Sequence, residues 1–162
     1  MSKIKLSILL LVSFLFFSCA ANQNNNLSQK YSVAYIGGEF DGLLLKNYLI
    51  SSLKNLDVYD QKSKYKIKAS IGHDTNLFIT NIDNTSDREK ISTNLNIRIT
   101  NIVLNCEIYY DEINVSQFYI YASSDKFLSN QKAVKKIKKE NTEATIRQFI
   151  NNLKNVDDKC DE

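Results

Sequence analysis

Lys64-Tyr65-Lys66-Ile67-Lys68-Ala69-Ser70-Ile71 sets the period of this chain. Tyr65, Ile67, Ala69 and Ile71 fall on one side, and Lys64, Lys66, Lys68 and Ser70 on the other. A period of two with one apolar side describes a half-buried strand whose other face is solvated and basic. The same period returns downstream, where Leu95, Ile97 and Ile99 alternate with Asn94, Asn96, Arg98 and Thr100. Between the two runs, the polar stretch Asn81 to Asp87 reads as a turn. Asn101 begins a further hairpin, and a fourth strand is expected from about Leu104 to Tyr110, with Leu104, Cys106, Ile108 and Tyr110 on one side. Asp111 to Asn114 reads as a break before another strand-like piece, Val115 to Tyr121.

Upstream, Tyr31 to Ile36 is rich in aromatic and β-branched residues and ends at Gly37-Gly38, which predicts a strand followed by a tight turn. Leu45, Tyr48, Leu49, Leu53 and Leu56 then recur at helical spacing, predicting an amphipathic helix from about Glu39 to Asn55. Its acidic start, Glu39 and Asp41, suits the positive end of the helix dipole. Downstream, a long helix is expected from about Asp125 to Lys154. Val134, Ile137 and Ala144 lie on one stripe of it, and Ile146, Phe149, Ile150 and Leu153 on another. That offset predicts either a kink near Asn141 or a first half that packs on something other than the domain's own sheet. The element order β-α-β-β-β-α predicts an α+β two-layer sandwich, with two helices on one face of a four-stranded, mostly antiparallel sheet.

At 162 residues there is room for one domain, and the apolar fraction of 43% with 24% charged residues is that of a globular chain. A net charge of +3 gives no case for nucleic acid as a partner.

The N-terminus points to export. Lys3 and Lys5 precede a run, Ile8 to Phe17, that is apolar except for Ser13, and Ser18 precedes Cys19. A charged start, a short apolar run and a small residue describe a secretory signal peptide, too short for a transmembrane span. A cysteine directly after the small residue points to lipoprotein processing, in which its thiol takes a diacylglycerol before cleavage. Phe16 stands three residues before it, where bacterial lipoproteins usually carry Leu. Several acyl chains on one residue give stable anchoring. Ala20 follows, and a residue other than Asp there resembles an outer-membrane address. Residues 1–18 are thus expected to be a signal peptide, 19–29 the lipidated cysteine and a flexible Asn-rich tether, 30–156 a single domain and 157–162 a frayed tail.

With Cys19 lipidated, Cys106 and Cys160 remain, and in an oxidising compartment they can form one disulfide. The alternative is a buried Cys106 and an unpaired Cys160. No Cys/His spacing suits zinc, and no cofactor is implied. His73 is the single histidine, beside Asp74, and reads as an ordinary surface residue. No acidic pair compels general acid/base work, so a non-enzymatic role is expected. The basic run Lys132, Lys135, Lys136, Lys138 and Lys139 reads either as a solvated face or as a surface for phosphates or acidic lipid head groups.

The order of lipobox, short strand, amphipathic helix, three-strand meander and long final helix resembles LptE, the lipopolysaccharide-assembly lipoprotein family. The similarity is closest from Ile91 to Leu153. There Leu95-Asn96-Ile97-Arg98-Ile99-Thr100 leads to a second strand. Phe118-Tyr119-Ile120-Tyr121-Ala122-Ser123 then enters a helix ending Glu143-Ala144-Thr145-Ile146-Arg147-Gln148-Phe149-Ile150-Asn151-Asn152-Leu153. Two departures stand out: Cys19 is followed by Ala20-Ala21-Asn22, not a Cys-Gly-Phe-Arg-Pro-Leu-Tyr type of start, and Thr100-Asn101 replaces the usual Thr-Gly turn.

The resemblance implies a plug inside the LptD outer-membrane barrel, on the periplasmic side, that helps the barrel assemble and contacts lipopolysaccharide. A polar lumen calls for a mixed polar plug surface. From charge and placement, Arg88, Lys90, Arg98, Lys135 and Lys136 are the candidates for lipopolysaccharide phosphates. The competing expectation is an accessory subunit of another envelope complex, for secretion or barrel assembly.

Overall fold

A computed structural model describes residues 29–79, 87–120, 126–156 and 160. Cys19, the signal peptide, the tether up to Ser28 and the polar turn from Asn81 to Ser86 lie outside these residues. The elements run β1 (Tyr31–Gly37), α1 (Glu39–Asn55), β2 (Tyr65–Ile79), β3 (Asp87–Asn101), β4 (Cys106–Ile120) and α2 (Phe127–Asn152), with a 3₁₀ turn at Leu153–Asn155. The sheet order is β1-β2-β3-β4, with β1 parallel to β2 and the other neighbours antiparallel. This is the α+β sandwich expected from the period of the strands.

The alternation decides which face is covered. Ile67, Ala69 and Ile71 of β2 and Leu95, Ile97 and Ile99 of β3 are buried beneath Leu45, Leu49 and Leu53 of α1 and Ile146 and Phe149 of α2. Between β1 and α1 the chain must turn in little space. Gly38 holds a φ of 110°, and a Cβ there would stand 2.6 Å from the Ile71 carbonyl oxygen. Gly42 lets the first turn of α1 press on the end of β1, since a Cβ there would meet the Gly37 oxygen at 2.6 Å.

Four expectations are corrected. β4 is one unbroken strand from Cys106 to Ile120, and Asp111 to Asn114 is no break. Its inward face carries Tyr109, Ile113 and Val115, while Leu104 and Tyr110 are exposed and Cys106 is only half-buried. Of the four residues expected to share one side, Ile108 packs against the core, and it does so at a bulge. That bulge sets the phase of the strand, since Ile99 pairs with Tyr109 but Thr100 with Glu107. The carboxylate of Asp111 is held in place on the inward face, accepting from the Tyr109 hydroxyl at 2.8 Å and from the Asn152 amide at 3.0 Å. Burial and the neighbouring Asp111 push the Tyr109 phenol up to about 12.

The final helix runs unbroken through Asn141, and its first half packs on this domain. Ile137 is buried, and Asn141, fully buried, donates from Nδ2 to the Ile91 carbonyl at 3.1 Å. The offset stripes reflect polar residues used inside the layer: Asn141, Thr142 and Thr145 occupy buried positions that a hydropathy count reads as surface. Finally, His73 lies within β2, and its side chain is 3% exposed.

Candidate functional site

The sheet's uncovered face is built from the even-numbered partners of the buried residues. Across β2, β3 and β4 the rows read Lys68-Arg98-Tyr110, Ser70-Asn96-Glu112, Gly72-Asn94-Asn114 and Asp74-Ser92-Ser116. The Asn94 amide donates to Asp74 Oδ2 at 3.2 Å, and the Asn114 amide donates to Asn94 Oδ1. Arg98 stands 3.7 Å from Glu107 and 5.8 Å from the Tyr110 ring centroid. Both members of that ion pair are about half exposed, so it contributes little to stability. The middle of this face is therefore polar across β2, β3 and β4, with Tyr35 of β1 exposed beside Lys68 and Ser70.

Arg88, Lys90 and Arg98 belong to this open face. Lys135 and Lys136 sit on α2, in the opposite layer. The five sequence candidates therefore do not converge on one site. Lys136 also faces Glu140 at 3.7 Å, as Lys139 faces Glu143 at 4.0 Å. Among the described residues, Lys132, Lys135 and Lys138 have no carboxylate within 4.0 Å.

Where α2's first half passes the start of α1, two clefts of about 540 and 520 Å³ open on either side of Phe40, Asp41, Lys135 and Lys138. The first is walled by Tyr119, Phe127 and Val134, with Glu89 at its rim. The second is walled by Leu44 and Tyr48, under Lys132, Lys136 and Lys139. Aromatic and aliphatic walls rimmed by ammonium groups suit an anionic amphiphile. Lys138 was named in the sequence within the basic run and Asp41 only as part of the acidic helix start, while Phe40 was not singled out. Nothing in a linear pattern brings the start of α1 to the middle of α2.

A polar cluster lies near these clefts. His73 Nδ1 is 2.7 Å from Thr93 Oγ1, and Nε2 stands 3.7 Å from Asp41 Oδ2. Burial lowers the His73 pKa below 6.5, Asp41 opposes that shift, and Lys138 reinforces it. Thr93 is 0% exposed, so the hydroxyl beside the imidazole is out of a substrate's reach. Among the described residues, no group of three His, Cys, Asp or Glu side chains could hold a metal ion.

Cys106 and Cys160 are joined as a disulfide with Cα atoms 5.9 Å apart, which ties the chain beyond α2 to the first residue of β4. Cys19 lies outside the described residues.

The fold falls among those of bacterial lipoproteins. A protein of Caulobacter crescentus assigned as a lipoprotein aligns with a TM-score of 0.57 at 17% identity, over 77% of this chain and 88% of its own. A minor lipoprotein of Acinetobacter baumannii aligns at 0.59 and 12% identity, over 78% and 91%. Rare lipoprotein B of Shewanella oneidensis aligns at 0.54 and 9% identity, over 78% and 98%. At these identities the likeness is one of fold. No protein-family model matches the chain, and no curated protein matches it in sequence.

Proposed function

We propose that this chain is an envelope lipoprotein, anchored through Cys19 on the periplasmic side of an outer membrane, that plugs an LptD-type barrel and assists lipopolysaccharide transport. The observation that carries this reading is the open sheet face, whose central rows are polar across three strands. Such a face suits the polar lumen of a large barrel, which a sheet needing an apolar partner would not. Two further points support it. The architecture is the one that the resemblance to LptE implies, and three proteins described as lipoproteins share the fold. The role is non-catalytic. The clefts around Lys135 and Lys138 are the places where a phosphate-bearing amphiphile fits, with its charge on the lysines and its chains against Phe40, Phe127 and Tyr48.

The test is a pull-down of the tagged chain from detergent-solubilised outer membranes, with partners identified by mass spectrometry. Stoichiometric recovery of an LptD barrel is expected. Recovery of a secretion or barrel-assembly machine instead would overturn the plug and leave the accessory-subunit role.

A further inference from the structure

Turns between strands are normally made of Gly, Asn, Asp and Ser, yet the β3–β4 turn carries Ile102, Val103 and Leu104. These side chains are 48%, 72% and 62% exposed. The backbone beneath them is firmly built. Asn101, itself buried, accepts at Oδ1 from the N–H groups of Val103 at 3.0 Å and Leu104 at 3.3 Å. Asn105 closes the turn in the left-handed region at a φ of 54°. The Ile102 N–H donates to the Lys64 carbonyl at 2.9 Å. A rigid turn thus presents three consecutive apolar side chains to solvent.

The same end of the molecule is where the chain arrives from its N-terminus. Tyr31 pairs with Tyr65, and Tyr65 with Asn101, so the first residue of β1 is level with the tip. The Ser63 hydroxyl donates to the Lys30 carbonyl. Lys30, Lys62 and Lys64 are all exposed at this end of the sheet, the Lys64 ammonium 4.8 Å from the Tyr65 ring centroid. Asp57 and Asp60 lie on the same crossover and offset part of that charge. Of the other exposed apolar residues, Leu77, Phe118, Ile120 and Leu128 gather at the opposite end, while Tyr110 pairs with Arg98 nearer the tip. That end is about 50 Å away along strands of this length.

We propose that Ile102, Val103 and Leu104 insert into the head-group region of the bilayer that holds the anchor, with Lys30, Lys62 and Lys64 on its anionic lipids. This rests on the lipid anchor at Cys19 in the function proposed above. The tether from Ala20 to Ser28 spans about 30 Å at most when fully extended, so the anchor keeps this end of the domain close to the membrane. Apolar side chains ringed by lysines are the composition of an interfacial contact, in which burial and attraction to anionic head groups act together.

The chain contains no tryptophan, so one introduced at the tip is a unique reporter. The acylated full-length Val103→Trp chain is reconstituted in phosphatidylethanolamine/phosphatidylglycerol vesicles with and without brominated acyl chains, beside Leu128→Trp as the opposite end. The expected result for Val103→Trp is a blue-shifted indole emission that brominated lipid quenches, weaker without phosphatidylglycerol, while the Leu128→Trp emission is unchanged. A Val103→Trp chain that floats with the vesicles while its emission stays red and unquenched overturns the tip contact and leaves the anchor standing. Equal quenching in both variants overturns it as well, because adsorption is then unspecific, and a protein or second copy covering the tip would likewise leave the indole unquenched. A chain that fails to float overturns the anchor. In that case a Val103→Trp emission unmoved by anionic vesicles overturns the tip too.

Discussion

The side-chain amide of Asn141, in the middle of α2, donates a 3.1 Å hydrogen bond to the backbone carbonyl of Ile91 in β3, from a position with no exposed surface. Among the described residues its own Oδ1 has no hydrogen-bond partner. The bond fixes α2 over the half of the sheet that α1 does not cover, and with it the clefts that both helices line. Asn141→Asp is expected to destabilise the domain by about 2–3 kcal/mol at neutral pH, because a carboxylate cannot donate to that carbonyl and is buried without a partner. Asn141→Leu is expected to cost less. Urea unfolding at pH 7 measures both, and equal midpoints would remove this role from Asn141.

His73 makes the domain sensitive to acid. Its pKa is lowered from 6.5, first by burial, with Asp41 and Asp74 opposing and Lys138 reinforcing. A histidine with a depressed folded pKa contributes stability above its unfolded value, because the unfolded chain takes up the proton first as pH falls. Stability is therefore expected to drop as the pH falls below 6.5. Urea midpoints taken down to about pH 5, above the carboxylate range, should show that slope, and His73→Gln should flatten it. An unchanged slope in the variant would assign the acid sensitivity to other groups.

The Cys106–Cys160 disulfide closes a loop over a sequence separation of 54. A cross-link of that span restricts the unfolded chain by up to about 4 kcal/mol at 25 °C in the chain-entropy treatment. Thermal melts with and without reductant should differ accordingly, and Cys160→Ser should reproduce the reduced curve. Coincident melts would mean that the bond constrains neither state.

Reversing charge distinguishes the two layers. Lys135→Glu with Lys138→Glu acts at the two lysines shared by both clefts, and neither is paired with a carboxylate among the described residues. The double variant is expected to weaken binding to lipopolysaccharide-containing vesicles by at least about 30-fold, at roughly 1 kcal/mol per charge near an anionic surface. Arg98→Glu, on the open face beside Glu107, is expected to do much less. Sedimentation with vesicles measures both. The reverse ranking would move the contact to the sheet.

Much of the fold was legible because strand periodicity is a local property. Alternation at Tyr65 to Ile71 and at Leu95 to Thr100 named the buried face residue by residue, and Gly37-Gly38 marked the turn into α1. Pattern misled where tertiary contacts override local preference. Asp111 and Asn114 look like a break, yet pairing with Ile97 and Asn94 keeps them in the strand. A one-residue bulge at Ile108 then inverted the expected face of β4 beyond it. Asn141 looks like a kink because a polar residue inside a helix layer makes sense only once the Ile91 carbonyl opposite it is known.

What the sequence determines by itself is the order of elements, the covered face of β2 and β3, and the export signature ending at Cys19, since all of these reside in neighbours along the chain. What only the tertiary structure decides is which charges act together. Arg98 and Lys135 belong to opposite layers although both are cations on expected surfaces. Asp41 and Lys138, 97 positions apart, meet at the same clefts. The tip at Val103 is level with the start of β1 for the same reason: parallel pairing of β1 with β2 brings the start of the domain to the far end of a hairpin, and no local pattern encodes a distance of that kind.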